Sequence, residues 1–127
     1  MSASSFTIQP LSTYSGAEVH GLDLSESMDP KTVHDIRAAL QKNGVLFFRD
    51  QELDPEELIQ VASIFGEPTP YPLLSGLKDF PEVTVVSKME HERVNFGGIW
   101  HSDTAYLKFP PKGSFLYALE VPKKGGD

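Results

Sequence analysis

Asp-Pro occurs twice, at Asp29-Pro30 and Asp54-Pro55, and each time it opens a stretch of helical spacing that runs to a glycine. An aspartate ahead of a helix accepts hydrogen bonds from first-turn amides that have no partner inside the helix. A proline at the next position has its φ already near the helical value and no N–H to leave unsatisfied. In "MDPKTVHDIRAALQKNG" the apolar residues Val33, Ile36 and Leu40 recur on one face, and Gly44 is placed to end the helix. In "LDPEELIQVASIFGEP" Glu57 sits at the capping-box position, Leu58, Val61, Ala62 and Phe65 make the apolar face, and Gly66 marks the stop. Two bounded helices set among strand-like segments predict an α+β fold.

The remaining segments are short. "FTIQPL" and "AEVHGLDL" read as strands, the second with Gly21 where a bend is cheap, and "VLFF" at 45–48 reads as a buried strand. Proline and glycine between Tyr71 and Phe80 predict a loop, followed by a strand at "EVTVVSK" and a polar connector at "MEHERVNF". "KFPPKG" is a turn, because Pro110 and Pro111 cannot donate to a ladder, and "SFLYALEV" has high strand propensity. The chain thus becomes increasingly strand-dominated, which places the expected sheet core toward the C-terminal end. At 127 residues a single domain, 1–127, is expected. The last residues, "VPKKGGD", follow an apolar segment directly with no closing element, so the domain reads as truncated and its sheet as unfinished.

Composition narrows the chemistry. There is no cysteine, which removes disulfides, zinc–thiolate sites and iron–sulfur clusters, so a metal would have to use His, Asp, Glu and water. With 11 basic and 18 acidic side chains the formal net charge is −7, which disfavours nucleic acid and anionic membrane surfaces as partners. The N-terminal "MSASSFTIQP" lacks the basic and apolar regions of a signal peptide, and no apolar run approaches the roughly 18 residues of a membrane span. A cytoplasmic protein is expected.

The chemically suggestive stretch is "GGIWHSDTAY", residues 97–106. On a strand, residues i and i+2 face the same side about 6.6–6.8 Å apart, so His101 and Asp103 can converge on one ion. Imidazole beside a hard anionic oxygen suits Fe(II), Mn(II) or Zn(II), and with a second histidine forms the facial triad of non-haem iron sites. With four histidines in the chain, an isolated His-x-Asp is a weak signal, and the pair alone is far more often a polar patch on a strand than a metal site.

More of the sequence bears on it. "GGIWHSDTAYLKFPPKGSFLYALEVPKKGGD" resembles the metal-binding segment of the TauD/TfdA family of Fe(II)- and 2-oxoglutarate-dependent dioxygenases, with a Trp-His-Ser-Asp tetrapeptide, a Pro-Pro turn, an apolar strand and a Gly-Gly-Asp turn in the same order. "GAEVHGLDLS", "IRAALQKNGVLFFRDQELDPEEL" and "FGEPTPY" resemble the family's amino-terminal half, so the likeness spans nearly the whole chain. The resemblance implies an incomplete double-stranded β-helix (jelly-roll, cupin-like) with two amino-terminal helices. His101 and Asp103 would be two of three iron ligands, with Fe(II) as cofactor, 2-oxoglutarate as cosubstrate and dioxygen as oxidant. 2-Oxoglutarate would be decarboxylated to succinate while a small anionic compound, a sulfonate, sulfate ester or aryloxyalkanoate, is hydroxylated. A homo-oligomer is expected of the full-length parent.

Some of the family's pattern is missing or altered. The distal histidine and the arginine that pairs with 2-oxoglutarate are expected beyond Asp127, and His20, His34 and His91 do not match the histidine's position. Taurine-type members carry Asn four residues before the first ligand, where this chain has Gly97, and their sulfonate-pocket His and Tyr fall on Tyr71 and Leu74. Taurine itself is therefore disfavoured. Tyr71, Asn95, Phe96 and Trp100 are the candidate substrate-pocket residues, Trp100 being expected to pack beside the metal face. Lys123 and Lys124 read as a solvated turn. The alternatives are a cupin-like binding or interaction module with a vestigial metal pair and a zinc hydrolase using the same two residues. The dioxygenase reading expects a histidine followed by an arginine in the coding sequence after Asp127. By itself the chain is expected to be inactive, to bind metal weakly and to self-associate, and a stable monomer in sedimentation would contradict the truncation.

Overall fold

The structure, a computed structural model, describes residues 6–94 and 97–124. The chain divides into two compact units, 1–67 and 68–127.

Among the described residues the first unit holds every regular element except one short turn: β1 (Thr7–Pro10), β2 (Ala17–His20), α1 (Pro30–Asn43), β3 (Leu46–Phe48) and α2 (Pro55–Ser63). β1 and β2 form an antiparallel hairpin with Ile8 opposite Val19, and β2 pairs in parallel with β3 through Ala17 opposite Leu46 and Val19 opposite Phe48. A parallel pair cannot be joined by a tight turn, so α1 is the crossover between β2 and β3. The hairpin loop is closed by Ser12, whose Oγ donates to the Ser15 carbonyl at 2.5 Å and accepts from the Ser15 amide at 3.1 Å.

Both helices start as the Asp-Pro pairs dictate. The Asp29 carboxylate accepts from the amides of Lys31 and Thr32 at 2.9 and 3.1 Å, and from the Thr32 hydroxyl at 2.6 Å. Those bonds favour the charged form and hold the Asp29 carboxyl below its usual pKa. Asp54 and Glu57 form a reciprocal capping box at 2.8 Å in each direction. α1 ends at Gly44, whose φ of 75° lies in the left-handed region and whose N–H donates to the Leu40 carbonyl at 2.8 Å. α2 ends earlier than Gly66 predicts. The amides of Ile64 and Phe65 bond three residues back, to Val61 and Ala62, and this tighter closing turn finishes the helix at Ser63.

The core is made of Ala17, Val19, Leu24, Ile36, Ala39 and Val61, all from the first unit. Thr32 and Ala39 join Ile36 as the buried stripe of α1, while Val33 and Leu40 are half-buried at its margin. Two side chains fasten the irregular segments. Gln51 accepts from the Leu24 amide at 2.8 Å and donates to the carbonyls of Leu22 and Arg49 at 3.1 and 2.8 Å, satisfying backbone that no strand pairs. Arg37 donates through Nε to the Ile64 carbonyl, linking α1 to the closing turn of α2, where a cation also complements the helix dipole.

Three expectations are corrected. "VLFF" is not a buried strand: β3 is an edge strand, with Val45 and Phe47 exposed and the Arg49 guanidinium 5.6 Å from the centre of the Phe47 ring. The sheet lies in the N-terminal unit rather than toward the C-terminal end. "EVTVVSK" and "SFLYALEV" do not form strands; among the described residues after Ser63 the only regular element is a 3₁₀ turn, Thr104–Tyr106. Strand propensity measures how well a side chain fits a paired, half-buried surface, and here no ladder partner is present among the described residues. Val85, Leu116 and Leu119 are accordingly exposed. The second unit is organised instead by turns such as 77–83, closed by Leu77 N–H to Val83 O at 2.9 Å and Val83 N–H to Phe80 O at 3.0 Å. Among the described residues no helix is long and apolar enough to cross a membrane.

Ile36, at 1% exposure, is the most deeply buried large side chain described, so Ile36→Ala is expected to lower unfolding free energy by about 2–5 kcal/mol in urea titrations. A loss well below about 1 kcal/mol would show that α1 does not pack as described. Acidification should act through Asp29. Its lowered pKa contributes stability that is present above the ordinary carboxylate range and is lost as pH falls through the depressed value. The protection factor of the Thr32 amide, its exchange relative to the unstructured rate at the same pH, should therefore fall in acid, and Asp29→Asn, which caps without titrating, should flatten that response.

Candidate metal centre

The site is carried by the loop from Gly97 to Leu107 in the second unit. The 3₁₀ turn Thr104–Tyr106 closes it, with the Asp103 carbonyl accepting from the Ala105 amide and the Thr104 carbonyl from the Leu107 amide at 3.1 Å. Thr104 is buried beneath the turn. Asp103 precedes it with an extended backbone, φ −65° and ψ −169°, and its carboxylate makes no capping bond to the turn. The side chain is therefore free to face backward along the chain.

It faces His101. His101 Nε2 lies 3.2 Å from Asp103 Oδ1, and Nδ1 lies 2.6 Å from the Ile99 carbonyl. A carbonyl can only accept, so Nδ1 carries the proton and donates to Ile99. In the neutral ring, Nε2 then presents a lone pair toward an anionic oxygen. Two electron-rich atoms at that distance repel unless a positive charge lies between them.

A proton is one such charge, and the imidazole's pKa is raised. The largest cause is the Ile99 carbonyl on Nδ1–H, partial desolvation opposes it, and the Asp103 carboxylate adds to the rise through its charge and a hydrogen bond. A divalent ion is the other. Nitrogen and oxygen donors at about 2.0–2.2 Å from a metal, subtending octahedral or tetrahedral angles, stand roughly 2.8–3.6 Å apart. The observed 3.2 Å falls in that span. An imidazole whose second nitrogen donates to a backbone carbonyl is also the usual outer-shell arrangement of a histidine ligand. The pair fits an ion as a two-donor set, and among the described residues no third His, Asp or Glu joins it.

The pair is not on a strand, as the i, i+2 spacing suggested; the extended backbone ahead of the turn supplies the same-side geometry instead. Both side chains are open to solvent, at 47% and 75% exposure for His101 and Asp103. A shallow, open depression adjoins His101, lined by Gly97, Gly98, Ile99, Trp100 and the histidine itself. Trp100, expected to pack beside the metal face, lines the same depression as His101, and its residue is fully exposed there. Tyr71 stands in a turn in which its carbonyl accepts from the Leu74 amide at 3.4 Å, with the residue on the border of exposure. Asn95 and Phe96 lie outside the described residues. Of the other histidines, His20 ends β2 with Nε2 4.0 Å from Glu18, and His34 is on α1 beside Asp35 at 3.3 Å. Sequence reasoning missed Ile99, whose contribution is a backbone carbonyl and leaves no mark in its residue type.

Residues 7–127 match the family described as "Taurine catabolism dioxygenase TauD, TfdA family". The chain belongs to the TauD/TfdA family. An alpha-ketoglutarate-dependent sulfate ester dioxygenase of Pseudomonas putida is 32% identical over 121 residues, covering 94% of this chain and 39% of that protein. An alkylsulfatase of Acinetobacter baylyi is 34% identical over 113 residues, covering 88% of this chain and 35% of that protein. A solved structure of a taurine dioxygenase from Burkholderia xenovorans aligns with a TM-score of 0.57 at 42% identity, over 61% of this chain and 28% of that one. This TauD/TfdA chain thus spans between a third and two fifths of the length of these two curated relatives. In it, His101-Ser102-Asp103 and the turn that presents them fall inside the matched region.

The raised pKa of His101 gives a direct check. The proton is retained below the ordinary imidazole value, and the stability it contributes is lost as pH rises through the raised folded-state value. In Cε1–H NMR titrations Asp103→Asn should lower the midpoint while leaving it above the ordinary value of about 6.5, because the Ile99 contact remains. A midpoint that drops to the ordinary value would assign the shift to the carboxylate instead.

Proposed function

We propose that this chain is the amino-terminal, ligand-bearing part of a non-haem Fe(II)- and 2-oxoglutarate-dependent dioxygenase in which His101 and Asp103 hold the ion. The observation that carries the reading is the 3.2 Å approach of His101 Nε2 to Asp103 Oδ1, with Nδ1 committed to the Ile99 carbonyl, in a chain of the TauD/TfdA family. When bound with 2-oxoglutarate, a ferrous ion supplies activation of dioxygen and oxidation of an unactivated C–H bond.

The residues of this chain prepare for that chemistry. The Ile99 carbonyl fixes the ring orientation and the tautomer, so that Nε2 is the ligating atom. Asp103 contributes the negative charge that offsets part of the ion's, and its extended backbone keeps the carboxylate aimed at the ring. The open side of the pair, along Gly97 to Trp100, is where a substrate can approach; Trp100 offers one indole donor and a large apolar face. Tyr71, Asn95 and Phe96 complete the proposed substrate side. The substrate is a small anionic organic compound of the sulfonate, sulfate ester or aryloxyalkanoate kind, in keeping with relatives named for sulfate esters, alkyl sulfates and taurine.

The complete enzyme is proposed to be a cytoplasmic homo-oligomer with a double-stranded β-helix, supplying a further histidine ligand and an arginine for 2-oxoglutarate. Two donors hold a divalent ion loosely, so the 127-residue chain alone is proposed to be inactive. Anaerobic addition of Fe(II) and 2-oxoglutarate to the full-length protein is expected to produce a visible charge-transfer band. His101→Ala and Asp103→Ala should each abolish that band and reduce substrate-coupled succinate formation to background. A full-length protein that develops no band would exclude the dioxygenase reading.

A further inference from the structure

No further inference is drawn: the strongest candidate, the exposed apolar cluster of Leu11, Val45 and Phe47 gathered around Gly16 at the β3 edge of the sheet, is an unpartnered surface, and nothing in the structure shows what covers it.

Discussion

A backbone amide or carbonyl out of water must find a partner, and the way each unit meets that demand sets its character. In the first unit β2 is paired on both sides, antiparallel to β1 and parallel to β3. The parallel side requires a crossover, and α1 supplies it, bounded by the Asp29 cap at one end and Gly44 at the other. Where strands stop, side chains take over: Gln51 closes the segment around Leu22 and Leu24, and Ser12 closes the hairpin. In the second unit the described residues make turns instead of ladders, and apolar side chains such as Val85, Leu116 and Leu119 remain exposed. The candidate metal centre belongs to this turn-built part.

That location shapes the electrostatics. His101 and Asp103 are not held by a sheet, and their approach depends on one hydrogen bond, from Nδ1 to Ile99, and one short turn, Thr104–Tyr106. The same hydrogen bond that places the proton on Nδ1 also raises the basicity of the ring. A proton and an ion held by the pair would therefore compete for one lone pair, and the raised pKa makes the proton a stronger competitor than at an ordinary histidine. The family context, not the pair alone, tips the reading toward an ion, since a raised imidazole pKa beside a carboxylate is also what an ordinary surface ion pair displays.

Much of the first unit could be read from the chain directly, because its signals are local. The Asp-Pro caps, the box formed by Asp54 and Glu57, and the glycine at 44 each act within a few residues, and all appear in the structure. The buried stripe of α1 was off by one position, with Thr32 and Ala39 beneath the helix rather than Val33 and Leu40, because a capping hydrogen bond to Asp29 lets the Thr32 hydroxyl be buried without loss. The reading of "VLFF" failed for a non-local reason: an apolar run does not reveal whether its strand is central or at an edge. "EVTVVSK" and "SFLYALEV" failed likewise, since alternation and β-branching cannot show whether a partner backbone is there to pair with. The His-x-Asp spacing was legible, but the feature that aims the ring, a carbonyl two residues earlier, could not be inferred from side-chain identities.

The contrast between the two units bears on what an ion would do beyond chemistry. A ligand that binds only the arranged form of a site stabilises that form by mass action, and metal sites built on loops gain the most order from their ion. Here the arranged form has an internal cost, the lone pair of Nε2 set against Asp103 Oδ1, which protonation relieves in acid and which nothing else among the described contacts relieves above the imidazole's pKa. Above the imidazole's raised pKa the pair is thus driven to separate, and a positive charge between the two atoms reverses the sign of that term. In the proposed enzyme, ion binding and ordering of the loop from Gly97 to Leu107 would therefore be one equilibrium.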